Sequence, residues 1–376
     1  MAQEDAPFLL LGAPDFTYTA GMTKGLFFTP LLAGSLLCAG CILPYGSARN
    51  SVSPGSQLKL TPALTIGTPE SDENAGSNYE FNRAAWITSK TLLHIEPNGR
   101  ITALAFPDGK AYWTQQLSEP IGRTHTGDNR ILLELKQSLA VLDSNTGSPI
   151  SWIKPEHIMP ATDSLPRFTI RISIWLPSLH TVLVHGVSRE NTRHSFLMDP
   201  KTFTPSGEFI GDDIQSDKLD GIDNQQRFRL YRRHNIPVWP FDGSASLNPA
   251  LSHAMDAPFV SNVFYDGNRT LIYSVDNSWS TGTIHVCDTL KKQELANFDA
   301  GNSHIEMDVD FERSRIAISG TSRNLTISSF AGDTLAHTTN AALQRIMDVN
   351  FSPDGSHVSV SGWENAVRVY RLDESP

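Results

Sequence analysis

The chain has 376 residues, with 30 Lys and Arg against 40 Asp and Glu, for a formal net charge of -10. That balance excludes the clustered basic footprint of a nucleic-acid-binding protein and favours a soluble body. The length exceeds a typical single domain, yet it suits one large all-β repeat architecture with ample chain for a core.

In chain order, residues 1–21 carry Glu4, Asp5 and Asp15, the wrong charge for the front of an export signal. Met22 therefore reads as the true start, and 1–21 as an overlong gene start. Residues 22–40 supply the parts of a secretory signal. Lys24 is the charged n-region, Leu26, Phe27, Phe28, Leu31, Leu32, Leu36 and Leu37 form the apolar h-region, and Ala39-Gly40 are the small residues at the cleavage point. The run Cys38-Ala39-Gly40-Cys41 resembles the lipobox of bacterial lipoproteins, whose usual form is Leu, a small residue, Gly or Ala, then Cys. The Leu is absent here. The resemblance implies lipidation of Cys41, a periplasmic location and a membrane anchor, with Ile42 rather than Asp after the lipid Cys favouring the outer membrane. Read instead as a membrane span or a core helix, Gly25 to Leu43 is short, at under about 20 apolar residues. Cys38-x-x-Cys41 also has the spacing of a thiol redox motif, but no strand-helix context surrounds it.

If Cys41 is lipidated, Cys287 is the remaining thiol and no intramolecular disulfide can form. Within Ile284-His285-Val286-Cys287 it reads as a buried, inert strand residue. Residues 41–79 read as a tether, rich from Tyr45 in Ser, Pro, Gly and Asn. Embedded in it, residues 58–66 (Leu58-Lys-Leu60-Thr-Pro-Ala-Leu64-Thr-Ile66) alternate as a strand does.

The body, 80–376, is a series of short β-branched and aromatic runs divided by Gly, Asp and Asn turns, with no helix of normal length. The fold class is all-β. Its clearest unit is the last: Met347-Asp-Val-Asn-Phe351, the turn Ser-Pro-Asp354-Gly355, His357-Val-Ser-Val-Ser361-Gly362, and Val367-Arg-Val-Tyr370. The same grammar recurs around Asp266, with Asn262 to Tyr265, Leu271 to Ser274 and Thr283 to Asp288, and between the two at Val309 to Phe311 and Arg315 to Gly320. A period near 40 to 45 residues is the sequence signature of propeller blades. Asp143-Ser-Asn-Thr146-Gly147, Asp199-Pro-Lys-Thr202 and Phe106-Pro-Asp108-Gly109 mark earlier units.

These motifs resemble WD-repeat and quinoprotein-like blades. The terminal Trp-Asp pair of a WD repeat is replaced by Tyr370-Arg371, and the buried Asp of its polar network by Glu364. The resemblance implies a β-propeller of seven blades, near 83–113, 130–152, 167–209, 227–241, 259–298, 305–337 and 346–370. Only three good strands fit in the last unit, so residues 58–66 are expected to cross back as its outermost strand and close the ring.

No nucleophile elbow, zinc-protease helix or phosphate loop occurs, and no cofactor, metal site or catalytic residue is assigned. A lone strand histidine such as His185 or His285 reads as hydrogen-bonded and structural. The acidic run Asp212-Asp213, Asp217, Asp220-Gly221, Asp223-Asn224 lacks the spacing of a calcium loop and reads as a solvated inter-blade loop. After it, Arg227, Arg229, Tyr231 and Arg233 share one strand face, a composition that interfaces enrich, although pairing with the preceding aspartates explains it equally. Three functions stay open: a non-catalytic protein-binding scaffold of the envelope with a monomeric body; an immunity or inhibitor lipoprotein against a secreted toxin; and a propeller-fold hydrolase or quinone-dependent oxidoreductase.

Overall fold

The computed structural model describes residues 58–71, 81–136, 138–159, 168–176, 181–189, 192–199, 201–208, 219–222, 228–230, 238–239, 260–266, 269–276, 281–288, 290–291 and 293–374. All of them fall in the compact unit Gly46–Pro376. The signal segment and Cys41 lie outside the described residues. Among those described the chain is all-β: seven antiparallel sheets follow one another in sequence, and the one α-helix, Pro155–Ile158, is four residues long.

Sheet 1 comprises Arg83–Thr88, Thr91–Ile95, Arg100–Ala105 and Ala111–Gln116; sheet 2 comprises Ile121–Gly127, Arg130–Leu135, Leu139–Asp143 and Pro149–Ile153. Sheet 3 is Phe168–Leu176, Thr181–Ser188, Arg193–Met198 and Pro205–Glu208, and sheet 4 is Leu219–Ile222, Phe228–Leu230 and Val238–Trp239. Sheet 5 follows at Val260–Tyr265, Thr270–Val275, Thr283–Asp288 and Gln293–Asp299, and sheet 6 at Ile305–Asp310, Arg315–Gly320, Leu325–Ser329 and Thr334–Thr338. In sheet 7, Ile346–Phe351, His357–Gly362 and Glu364–Glu374 supply three strands and Leu58–Ser71 the outermost fourth.

The alternation of residues 58–66 therefore does mark a strand, and it runs five residues further than the sequence pattern, to Ser71. It pairs antiparallel with the last strand from Leu58 opposite Glu374 to Ser71 opposite Glu364, with a bulge between Pro62 and Leu64. Leu60 and Leu372 face each other across this pairing and join the buried cluster of Val349, Val358, Val360 and Tyr370. On the other side Leu64 and Ile66 pack against Trp86, Val367 and Val369, which links the strand to sheet 1.

Apolar clusters lie between successive sheets. Leu93, Ile101, Ile131 and Leu142 join sheets 1 and 2, and Leu132, Val141, Val182 and Phe196 join sheets 2 and 3. Phe264, Ile284, Met307 and Ile316 join sheets 5 and 6. Sheets 1, 2, 6 and 7 each contribute to two such clusters and so are apolar on both faces. The first strands also touch one another: those of sheets 1 and 2, 2 and 3, 3 and 4, 5 and 6, 6 and 7, and again 7 and 1.

The turns behave as their residues dictate. In the turn between the third and fourth strands of sheet 2, Asp143 Oδ1 accepts the N–H groups of Asn145 and Thr146 and the Thr146 hydroxyl, at 2.9 to 3.1 Å. Asp199 Oδ1 repeats this at the same place in sheet 3, with Lys201 N–H, Thr202 N–H and the Thr202 hydroxyl. An Asp side chain that replaces a backbone acceptor is what makes such a turn. Trp113 of sheet 1 packs on the first of these turns and donates its indole N–H to Ser144 O at 3.0 Å. Gly147 has φ +71° there, and a Cβ would meet that indole at 2.5 Å.

Three sequence boundaries change. Sheet 2 begins at Ile121, before Arg130, because its first strand Ile121–Gly127 is mostly Thr, His and Gly and hides its strand character. Asp220-Gly221 belongs to the strand Leu219–Ile222, which pairs with Phe228–Leu230, and not to a loop. The Phe106-Pro-Asp108-Gly109 turn joins third and fourth strands, unlike the Asp354-Gly355 turn, which joins first and second.

Candidate functional site at the beginning of the first strands

The first strands of sheets 5, 6 and 7 carry a polar residue at one matching position, each opposite a serine of the second strand. The pairs are Asn262 with Ser274, Glu306 with Ser319 and Asp348 with Ser361. Directly opposed residues of an antiparallel pair leave the sheet on one face, so each pair forms a local polar patch. Alternate residues explain why the acids survive in a core. Ile305, Met307 and Val309 point to sheet 5, while Glu306 and Asp308 point to sheet 7.

Hydrogen bonds lace these strands together. Asn262 Nδ2 donates to Ile305 O at 2.7 Å, and Phe351 N–H donates to Asp308 Oδ2 at 2.7 Å. Asn350 Nδ2 donates to Ala84 O at 3.3 Å, and Arg83 donates to Gly122 O. Thr126 returns a bond to Trp86 O at 2.8 Å, and Ser173 donates through N–H and hydroxyl to Glu134 at 2.7 and 2.9 Å.

The electrostatics are unusual for a structural core. Burial pushes the Glu306 carboxyl up to about 8, with Asp348 and Asp276 adding to the rise and Arg345 and Arg83 opposing it. Burial also raises Asp308 to about 6, against the N–H donors of Phe351 and Val309. Asp348 rises to about 6 by burial as well, against Arg83 and bonds from Asn350 and Val349. Asp276 accepts Ile305 N–H at 3.1 Å and lies 3.7 Å from His304. Arg345 stacks over Trp363 at 5.6 Å, and its Nε is buried without a partner. Carboxyls held near neutrality beside two guanidiniums are groups able to exchange protons or receive a cation. Among the described residues no group of three or more His, Cys, Asp or Glu is placed to hold a metal.

The described residues singled out by sequence fall elsewhere. Cys41, Arg227, Tyr231 and Arg233 lie outside the described residues. Arg229 lies in the strand Phe228–Leu230, opposite Gly221 and Val238. Cys287 is buried, and burial lifts its thiol to about 12, so it is an inert core residue. His285 is structural, bonded to Thr283 at 2.9 Å and Glu294 at 2.7 Å and stacked on Tyr273. The side chain of His185, in Thr181–Ser188, is outside the description. Glu364 is buried and accepts Leu343 N–H and both ends of Arg368, as the acid of a polar network does. Tyr370 donates its hydroxyl to Ala341 O at 2.8 Å.

A concavity of about 530 Å³ lies at the opposite end of sheets 1 and 7, lined by Pro62, Lys90, Phe106, Asp354, His357 and Arg371. Its acid and guanidinium are committed: Asp354 accepts the hydroxyls of Ser352 and Ser356, and Arg371 pairs with Asp373. The acidic group was missed by sequence because its members are single residues some forty positions apart; the recurring polar-to-serine pairing is the signal that marks it. Compared with protein-family models and with curated proteins, the chain matches none.

Proposed function

We propose that the seven sheets close into a seven-bladed β-propeller, and that this body is a lipid-anchored, protein-binding scaffold of the bacterial envelope. What supports closure is the contact of first strands from sheet to sheet, returning from sheet 7 to sheet 1, together with the N-terminal strand on the C-terminal one. Such a ring leaves no long unpaired edge at its seam.

One observation carries the functional part. The chain enters sheet 7 at Leu58, beside Glu374, whereas Ser71 lies beside Glu364, whose carboxylate binds Leu343 N–H next to Arg345. The acidic group is level with Ile66, through Ser361 and Val367, and so about 25 Å along the sheet from the point of entry. This end of sheet 7 lies away from the entry of the N-terminal strand, and it is proposed as the partner-binding end. From Cys41 to Leu58 the chain spans at most about 60 Å, enough to keep the body near one membrane surface. Arg227, Arg229, Tyr231 and Arg233 are proposed as further partner contacts. The scaffold acts by binding, without catalysis, as a monomeric body.

Photo-crosslinkers at Gln344 and at Lys59 test the assignment in intact envelopes. A protein partner trapped from Gln344 and not from Lys59 supports it; trapping from Lys59 alone places the binding face at the wrong end.

A further inference from the structure

We infer that the acidic end of the first strands is a receptor for one cationic side chain, the guanidinium or ammonium of a basic segment in the protein partner. The partner rests on the scaffold proposal; the chemistry of the receptor does not.

Charge comes first. Glu306 and Asp308 from sheet 6, Asp348 from sheet 7 and Asp276 from the loop after the second strand of sheet 5 face two cations, Arg83 and Arg345, with His304 beside Asp276. Arg345 lies over Trp363 and makes no ion pair with these acids among the described residues. Glu306 has neither a hydrogen-bond nor an ion-pair partner among them. Glu306, Asp308 and Asp348 are part-buried, so the group keeps some exposure to solvent. Glu306, a part-buried carboxyl without a donor, is free to accept the N–H groups of an incoming cation.

An independent observation points into the same place. Ser361 is 2% exposed, its hydroxyl has no partner, and it sits directly opposite Asp348 on the same face. The matching serines are satisfied: Ser274 accepts from Asn262 at 3.0 Å and Ser319 donates to Asn324 O at 2.6 Å. Of the two serines opposite an acid of the group, Ser319 is satisfied and Ser361 is left open. Buried hydroxyls are almost always bonded, so a vacant one in the same group as the unpartnered Glu306 is what a receptor offers before its ligand arrives. A guanidinium, with five donors in a planar fork, serves Glu306, Asp348 and Ser361 together.

Binding and protonation are then linked. The charged groups around Glu306 are Asp348, Asp276, Arg345 and Arg83, with Asp308 on its own strand. The empty receptor holds a proton on Glu306 near neutrality, and an arriving cation displaces it. Affinity rises with pH, by up to about tenfold per unit below the Glu306 value for one released proton.

The test uses the full chain carrying Cys41→Ser, titrated calorimetrically with a capped Gly-Arg-Gly peptide and with its uncharged Gly-citrulline-Gly counterpart, in two buffers of different ionisation enthalpy. The Arg peptide is expected to bind, to release about one proton at pH 7 and to tighten on the order of tenfold from pH 6.5 to 7.5. The citrulline peptide should not bind. Glu306→Gln, which keeps the neutral form of the empty receptor and so the fold, should weaken binding about tenfold or more, and Ser361→Ala several-fold. Equal binding of both peptides, no binding of the Arg peptide at pH 8, or unchanged affinity in Glu306→Gln overturns the receptor. If crosslinking from Gln344 still traps its partner at wild-type yield in Glu306→Gln, the receptor is overturned and the scaffold stands. If the Arg peptide binds as stated but no partner is trapped, the scaffold fails and the receptor stands.

Discussion

Arg315 of sheet 6 grips Gly355 of sheet 7: its Nη2 donates to the glycine carbonyl oxygen at 2.7 Å and to Asp310 Oδ2 at 2.6 Å. Both charged residues are buried, and the guanidinium lies 5.7 Å from the Phe351 ring centroid. Gly355 has φ +63°, and a Cβ would fall 2.3 Å from Asp310 Oδ2. Gly355→Ala therefore combines backbone strain with a collision and should cost more than about 1 kcal/mol in a urea titration. Arg315→Leu leaves the buried Asp310 carboxylate only the longer contact to Arg313, at 3.4 Å, and should cost about 1 to 3 kcal/mol. Wild-type midpoints for both variants would remove this contact from the account of how sheets 6 and 7 are held.

The raised carboxyls give stability a definite pH dependence. An acid whose folded value lies above its unfolded value binds more protons when folded, so stability falls as pH rises between the two. For Asp308 and Asp348 that window runs from the ordinary 3.8 to about 6, and for Glu306 from 4.5 to about 8. The melting temperature should drop by at least about 3 °C from pH 5 to pH 8.5, and Glu306→Gln should flatten the upper part of that drop. A melting temperature that rises over this range in the wild type contradicts the burial of these groups.

Much of the fold was legible, and the reason is chemical. Asp143 with Thr146 and Asp199 with Thr202 are turns that two residue types make almost unaided. Phe351, Asp354-Gly355 and Ser361-Gly362 likewise delimit strands Ile346–Phe351 and His357–Gly362 where the pattern placed them. First strands were harder, as Ile121–Gly127 shows, because a strand surrounded by others is not required to be apolar when its polar side chains bond to neighbouring strands. The acidic group stayed hidden for a related reason. Glu306 and Asp348 acquire meaning only when sheets 6 and 7 bring them side by side, and no local spacing encodes that.

Lipidation at Cys41 predicts that Cys41→Ser moves the protein from the membrane fraction to the soluble periplasm. Fatty-acid labelling should disappear with it. Membrane sedimentation unchanged in the variant, with no label in the wild type, would rule out the anchor.

At the proposed Arg-rich contact, the double variant Arg227→Ala, Arg229→Ala separates two roles. A partner contact should lose on the order of 2 kcal/mol or more of affinity, whereas surface pairing with Asp212 or Asp213 should change stability by about 0 to 1 kcal/mol. Undiminished partner capture by the double variant would leave only the surface-pair role.

Closure by the N-terminal strand is the claim on which the ring depends, and paired deletions test it most directly. Removing residues 57–67 strips the ladder to the last strand and uncovers Leu372 and Tyr370, which Leu60 helps to bury. Removing 46–55 takes away a similar length of chain ahead of that ladder. Followed by thermal unfolding, the first deletion should lower the melting temperature by about 10 °C or more and the second should leave it within about 2 °C of wild type. Equal and negligible shifts in both would contradict closure, and with it the ring.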